Sequence, residues 1–130
     1  FSPVARAFLA DALADPATLD AKDIRRGMPR FEPAAYAANL RLLPAYRELA
    51  AQAGSTPAQL ALAWLLSRGE HVVPIPGTTS TAHVVEDARA ADVVVPAEVL
   101  ARADALINQR TVTGGRYNAA AQADVDTEEF

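Results

Sequence analysis

Apolar positions along the chain change their spacing several times, and each change predicts an element. Tyr36, Leu40, Leu43, Leu49 and Ala53 approximate helical intervals, which predicts a helix ending near Gly54, a residue able to supply a left-handed cap. Pro44 falls inside that pattern, so it either kinks the helix or marks its true first turn. Thr56-Pro57-Ala58-Gln59 is a strong helix start: Thr56 can cap, Pro57 suits the first helical position, and Gln59 completes a capping box. Leu60, Ala61, Trp64 and Leu65 then form an apolar stripe that spreads to Leu62 and Leu66, as in a helix buried over much of its circumference, with Gly69 as its stop. Residues 72–75 are β-branched apart from Pro74 and read as a buried strand. Residues 81–91 read as a helix with Ser80 as its cap. Residues 92–95 read as extended. Pro96 opens a further helix whose buried face is Val99, Leu100, Ala103 and Leu106.

Between these elements the pattern lapses. Residues 10–33 are rich in Pro, Asp and Arg with no sustained period, which predicts a long loop with one short helical turn. Residues 1–9 begin apolar and break at Pro3, and are expected to be the tail of a strand whose body is absent. The stretch from Thr111 is rich in Gly, Ala and Asp and reads as a surface arm.

Composition narrows the function classes. At 130 residues, 51% hydrophobic and 22% charged, the chain has the make-up of one globular domain. The net charge of −4 argues against a nucleic-acid binder, which would carry a basic patch. The apolar runs are too short for a membrane span. With no cysteine, disulfides, thiolate metal sites and cysteine nucleophiles are excluded. The first residue is Phe rather than Met, so the expectation is a fragment, a processed product or the ordered part of a longer protein. Cytoplasm is the default location.

The candidate chemistry sits at "VVPIPGTTSTAHVVED", residues 72–87, where an apolar stretch runs into Pro-Gly and three hydroxyls before a helix. Gly77 lets a ligand approach the backbone, Thr78, Thr79 and Ser80 offer hydroxyls, and the helix start presents unpaired N–H groups. Two readings fit: a phosphate site, or an ordinary turn with a serine cap. Other candidates are weaker. His71 reads as structural and Trp64 as core. Arg25, Arg26 and Arg30 are either solvated or part of a loop that closes over a ligand. Two isolated His residues do not make a metal site.

Four pieces, in order, resemble the C-terminal half of the aldo/keto reductase family. "FSPVARAFL" is similar to the family's "YSPLGRGFL" after the seventh strand. "NLRLLPAYRELAAQAGSTPAQLALAWLLSRG" looks like its late helix pair, "VVPIPGTTSTAHVVEDARA" like its eighth strand and helix, and "GGRYNAAA" like its C-terminal tail. The resemblance implies an α/β fold, a (β/α)8 TIM barrel, of which this chain supplies about the last two β/α units and is helix-rich as it stands. In that frame residues 1–9 are the end of strand seven and a cofactor loop, 10–35 a long loop, 36–70 helices, 71–91 strand eight and helix eight, 92–110 the final helix, and 111–130 the tail.

The resemblance also implies binding of NADP(H), with a small carbonyl or alcohol as substrate. Phe1 would stack on the nicotinamide, the alternative being core packing, and Ser2, Pro3, Val4 and Arg6 would line the pyrophosphate. Ile75, Pro76, Gly77, Thr78, Thr79 and Ser80, with His83, Glu86 and Asp87, would meet the adenosine and its 2′-phosphate. Many relatives have Arg where His83 stands and Asn where Asp87 stands, which leaves NAD(H) open as a cofactor. Ala5 and Ala7 replace two family glycines. The catalytic Asp-Tyr-Lys-His set is expected in an absent N-terminal half, so the 130 residues alone are expected to be inactive. The alternative function is a non-catalytic subunit of the same fold that senses nicotinamide cofactors.

Overall fold

The computed structural model describes residues 1–125. Among them the α-helices are α1 (Pro33–Leu40), α2 (Leu43–Gln52), α3 (Pro57–Leu66), α4 (Thr81–Ala88), α5 (Ala97–Leu106) and α6 (Ala119–Gln122). The chain divides into two compact units. The first comprises Phe1–Leu13 and Leu43–Leu106, and the second Ala14–Leu42 with the chain from Ile107 onward. No helix among the described residues is long and apolar enough to cross a membrane.

The first unit is built around α3. Thr56 Oγ1 accepts from the Gln59 amide at 3.2 Å while Gln59 Oε1 accepts from the Thr56 amide at 3.1 Å, so both halves of the capping box form. Ala58 and residues 60–63 are buried, because α3 is apolar nearly all round and packs against α2, α4 and a 3-10 turn at Arg89–Asp92. α2 turns Leu43, Tyr46, Leu49 and Ala50 inward, and it packs on α5 as well as α3. Burial pushes the Tyr46 phenol far above its ordinary range, and its hydroxyl donates to the Pro57 carbonyl at 3.1 Å. Pro44 lies in the first turn of α2, where its missing N–H costs nothing, and Gly54 follows with φ of +63°. Trp64 buries its ring only in part: its indole N–H donates to Asp104 at 2.7 Å, and Arg68 both stacks on the ring and pairs with Asp104.

In the second unit the long loop holds more structure than its composition suggests. Three 3-10 turns occur, at Pro16–Thr18, Ile24–Gly27 and Pro29–Phe31, the first two capped by the carboxylates of Asp15 and Asp23. Two of the three arginines of this stretch bond within the loop, and the third reaches the segment after Thr113. Arg25 pairs with Asp23 at 2.7 Å, Arg26 donates to the carbonyls of Ala17, Leu19 and Asp20, and Arg30 donates to the Gly114 carbonyl. Arg25 holds the Asp23 carboxyl down at about 2.

The described part of the expected surface arm lies at the surface, with no residue of 111–125 buried, and is tied down at Thr113. Buried Asn39 donates to the Thr113 carbonyl at 2.9 Å and accepts from its amide at 2.8 Å, which docks the segment. Gly114 has φ of +89°, and a Cβ there would meet the Arg30 backbone at 3.1 Å. Residues 126–130 of the expected tail lie outside the described residues.

Two strand expectations also change. Residues 72–77 form no regular element, and no β-ladder occurs among the described residues. Their exposure alternates: Val72, Pro74 and Pro76 are half-buried, whereas Val73 and Ile75 are 76% and 61% exposed. Pro74 and Pro76 have no N–H to donate, and among the described residues no strand pairs with this stretch, so the expected burial is not realised. Residues 3–11 are turns rather than the end of a strand.

Candidate functional site

The polar junction after residue 77 takes its shape from short-range bonds. Ser80 has extended backbone, and its Oγ accepts from the His83 amide at 3.4 Å, which starts α4. Thr78 Oγ1 accepts from the Ser80 amide at 3.0 Å and lies 3.3 Å from His83 Nδ1. The Thr81 and Ala82 amides at the first turn have no partner among the described residues. Gly77, Thr78, Thr79 and His83 are exposed, and a Cβ on Gly77 would meet nothing within 4 Å. The result is an open surface with two free N–H donors beside hydroxyls, a geometry suited to an anion.

The two acidic residues of α4 have different surroundings. Glu86 is bound into the fold: its Oε1 accepts from the Thr56 hydroxyl at 2.6 Å, and its carbonyl accepts from Gln59 Nε2 at 3.0 Å. The Asp87 carboxylate has no hydrogen-bond partner among the described residues, although its backbone carbonyl accepts from the Arg89 amide. Burial, with the Glu86 charge beside it, raises its pKa above the ordinary carboxylate range, and His83 one turn back opposes this. Asp87 and Thr78 are the polar members of a groove of about 420 Å³, otherwise lined by apolar side chains such as Leu62, Leu66, Pro74 and Val84.

The N-terminal segment belongs to the same unit and is built differently. Ser2, Ala5, Arg6, Ala7 and Asp11 have φ of +52°, +49°, +56°, +76° and +54°. Left-handed backbone costs an L-residue roughly 1–2 kcal/mol. Consecutive turns hold the segment, with Ala5 N–H donating to the Ser2 carbonyl, Leu9 to Val4 and Ala12 to Ala7. Asp11 then forms a two-pronged ion pair with Arg47 on α2, Nε to Oδ2 at 2.6 Å and Nη2 to Oδ1 at 3.0 Å. Phe1 is 63% exposed, so it does not pack in a core, and Ser2, Pro3, Val4 and Arg6 are half-buried.

The aldo/keto reductase family matches residues 1–108. This chain belongs to the aldo/keto reductase family. It is 32% identical over 117 residues to the Schizosaccharomyces pombe protein named aldo-keto reductase yakc, NADP(+), a match covering 90% of this chain and 34% of that protein. It is 27% identical over 116 residues to aldo-keto reductase str7 of Strobilurus tenacellus, covering 89% of this chain and 34% of the other. The chain therefore spans about a third of the length of the curated relatives it matches. No solved structure matches significantly. Family membership implies a (β/α)8 barrel, with the described residues contributing mainly helices.

Membership makes the strained segment intelligible. Ala5 and Ala7 stand where the family's "YSPLGRGFL" has glycine, and both keep the left-handed backbone that glycine adopts freely. Ala5 and Ala7 thus hold a backbone that glycine would adopt at lower cost. Asp11 and Arg47 were not among the site residues read from the sequence. Nothing local links two residues 36 apart, so only their side-chain geometry reveals the pair.

Proposed function

We propose that the chain is the cofactor-side, C-terminal part of an NADP(H)-dependent aldo/keto reductase that interconverts carbonyl compounds and alcohols. The observation that carries this reading is the pair of unpartnered amides at Thr81 and Ala82 beside the Thr78, Thr79 and Ser80 hydroxyls. These groups fit a phosphate on the adenosine side. Asp87 can accept from an exocyclic amine but has no proton for a ring nitrogen when ionised. Phe1, an aromatic that is 63% exposed, suits stacking on a flat ring. Ser2, Pro3 and Val4 would pass the pyrophosphate, with Arg6 adding positive charge. When bound, the nicotinamide supplies the hydride. The proton donor would come from an Asp-Tyr-Lys-His set upstream of this chain, so the 130 residues by themselves would have no turnover. A cytoplasmic location goes with this reading.

Support for NADP(H) comes from the name of one relative and from the amide-and-hydroxyl cluster. Against a strong preference over NAD(H) stands His83, which lacks the fork of a guanidinium and already meets Thr78 at 3.3 Å. The test is a titration of the full-length protein with NADPH and NADH, followed by nicotinamide fluorescence. Both should bind, and His83→Arg should tighten NADPH about tenfold, ~1.4 kcal/mol, while leaving NADH nearly unchanged. Unchanged NADPH affinity in that variant would remove the role given to position 83. A wild-type protein that binds neither nucleotide would overturn the function.

The second reading, a cofactor-sensing subunit without turnover, draws on the same two departures at His83 and Asp87. It predicts nucleotide binding without reduction of any aldehyde by the full-length protein.

A further inference from the structure

We propose that the Asp11–Arg47 ion pair is a positioning clasp: it fastens the left-handed turns of residues 2–11 onto α2 and thereby sets how tightly the nicotinamide cofactor is held. The inference rests on the reading of residues 1–6 as a cofactor-facing segment. Five non-glycine residues in this stretch hold positive φ, a conformation that L-residues seldom keep unaided. Asp11 is the last of them, and Asp is among the few residues that tolerate this backbone. Its side chain has a single methylene, so a grip on the carboxylate is a grip on the turn. Arg47 supplies that grip through Nε at 2.6 Å and Nη2 at 3.0 Å. Arg47 is itself well anchored, because α2 buries Leu43, Tyr46, Leu49 and Ala50 on its other side. Each partner favours the charged state of the other: Arg47 lowers the Asp11 pKa, and Asp11 raises that of Arg47. Neither residue is proposed to touch the cofactor. Their effect passes through the backbone of the turns between Asp11 and Phe1.

The test uses the full-length protein with Asp11→Asn, Arg47→Met and the double variant. Asparagine keeps the tolerance for left-handed backbone while removing the charge, so backbone strain is not altered by that change. NADPH dissociation constants, the cofactor KM against kcat, and melting temperature are measured for each. An exposed two-pronged pair predicts a two- to five-fold weakening of NADPH binding in each single variant. The double variant should be no weaker than the worse single one. The loss should fall on the cofactor KM, with kcat at saturating cofactor changing by less. A lowered melting temperature with unchanged NADPH affinity would mark the pair as structural only and overturn the clasp. Losses that add in the double variant would overturn it too. If the wild-type protein binds no nicotinamide nucleotide, the cofactor-facing reading of residues 1–6 itself is wrong.

Discussion

Helices α3 and α4 are neighbours, start with the same device and end in opposite situations. Each begins at a hydroxyl cap, Thr56 for α3 and Ser80 for α4. Yet α3 buries Ala58 and residues 60–63, whereas α4 buries none of its residues, and Val84 and Val85 are more than half exposed. A hydroxyl cap decides where a helix starts, and the helix's side chains and neighbours decide how much of it is buried. The difference is one of packing: α3 places its apolar surface in the core, whereas α4 leaves His83 exposed and Asp87 half-buried.

The sharpest way to break this contrast is to truncate matching positions. Leu60→Ala in α3 should cost about 2–5 kcal/mol of unfolding free energy in urea, as expected for a fully buried leucine. Val84→Ala in α4 should stay within about 0.5 kcal/mol. Similar losses at the two positions would mean that α4 is scaffold as well.

A smaller effect tests the link between the helices. Thr56→Val removes the α3 cap and also the hydrogen bond to Glu86, and should cost about 1 kcal/mol. Combined with Glu86→Ala, the losses should fall short of additivity by about 0.5 kcal/mol or more. Strict additivity in this double-mutant cycle would deny the 2.6 Å bond an energetic role.

The smallest expected effect concerns Asp87. Its folded-state pKa is raised, so the native protein binds its proton more tightly than the unfolded chain does. That contribution is fully present below the ordinary carboxylate pKa and is lost as pH rises through the folded value. At neutral pH the ionised carboxylate is therefore a mild liability. Asp87→Asn should raise stability at pH 7 by no more than about 0.5 kcal/mol, with the advantage fading toward pH 4. Urea midpoints across that range check it, and an advantage independent of pH would show that the carboxylate's charge is not the cause.

Much of the helical organisation was legible because its signals are local. Thr56 with Gln59, Ser80, Pro57 and Gly54 act over three or four residues, and the structure uses each as its position suggests. Pro44 was ambiguous between kink and start, and the break at Arg41 and Leu42 makes it a start. The long loop carries three short helical turns rather than the one expected, because its order comes from Asp side chains capping 3-10 turns and from Arg26 reaching carbonyls six to nine residues away. No hydrophobic period reports such bonds. The tie between the tail and Asn39 is illegible for a similar reason: Asn39 and Thr113 are 74 residues apart, and their reciprocal bonds leave no trace in either neighbourhood.

For the candidate site the division is finer. The sequence alone determined that a hydroxyl-rich turn meets a helix start at residues 77–81, since capping chemistry and chain direction suffice for that. It also determined the family, through the order and spacing of its motifs. Only the tertiary structure decided that Glu86 is held by Thr56 while the Asp87 carboxylate has no hydrogen-bond partner among the described residues, and that Ala5 and Ala7 hold a backbone suited to glycine. The physical reason is common to all three. A side chain's type sets which bonds it can make, but which bond it makes, and at what cost in backbone strain, depends on neighbours brought from elsewhere in the chain.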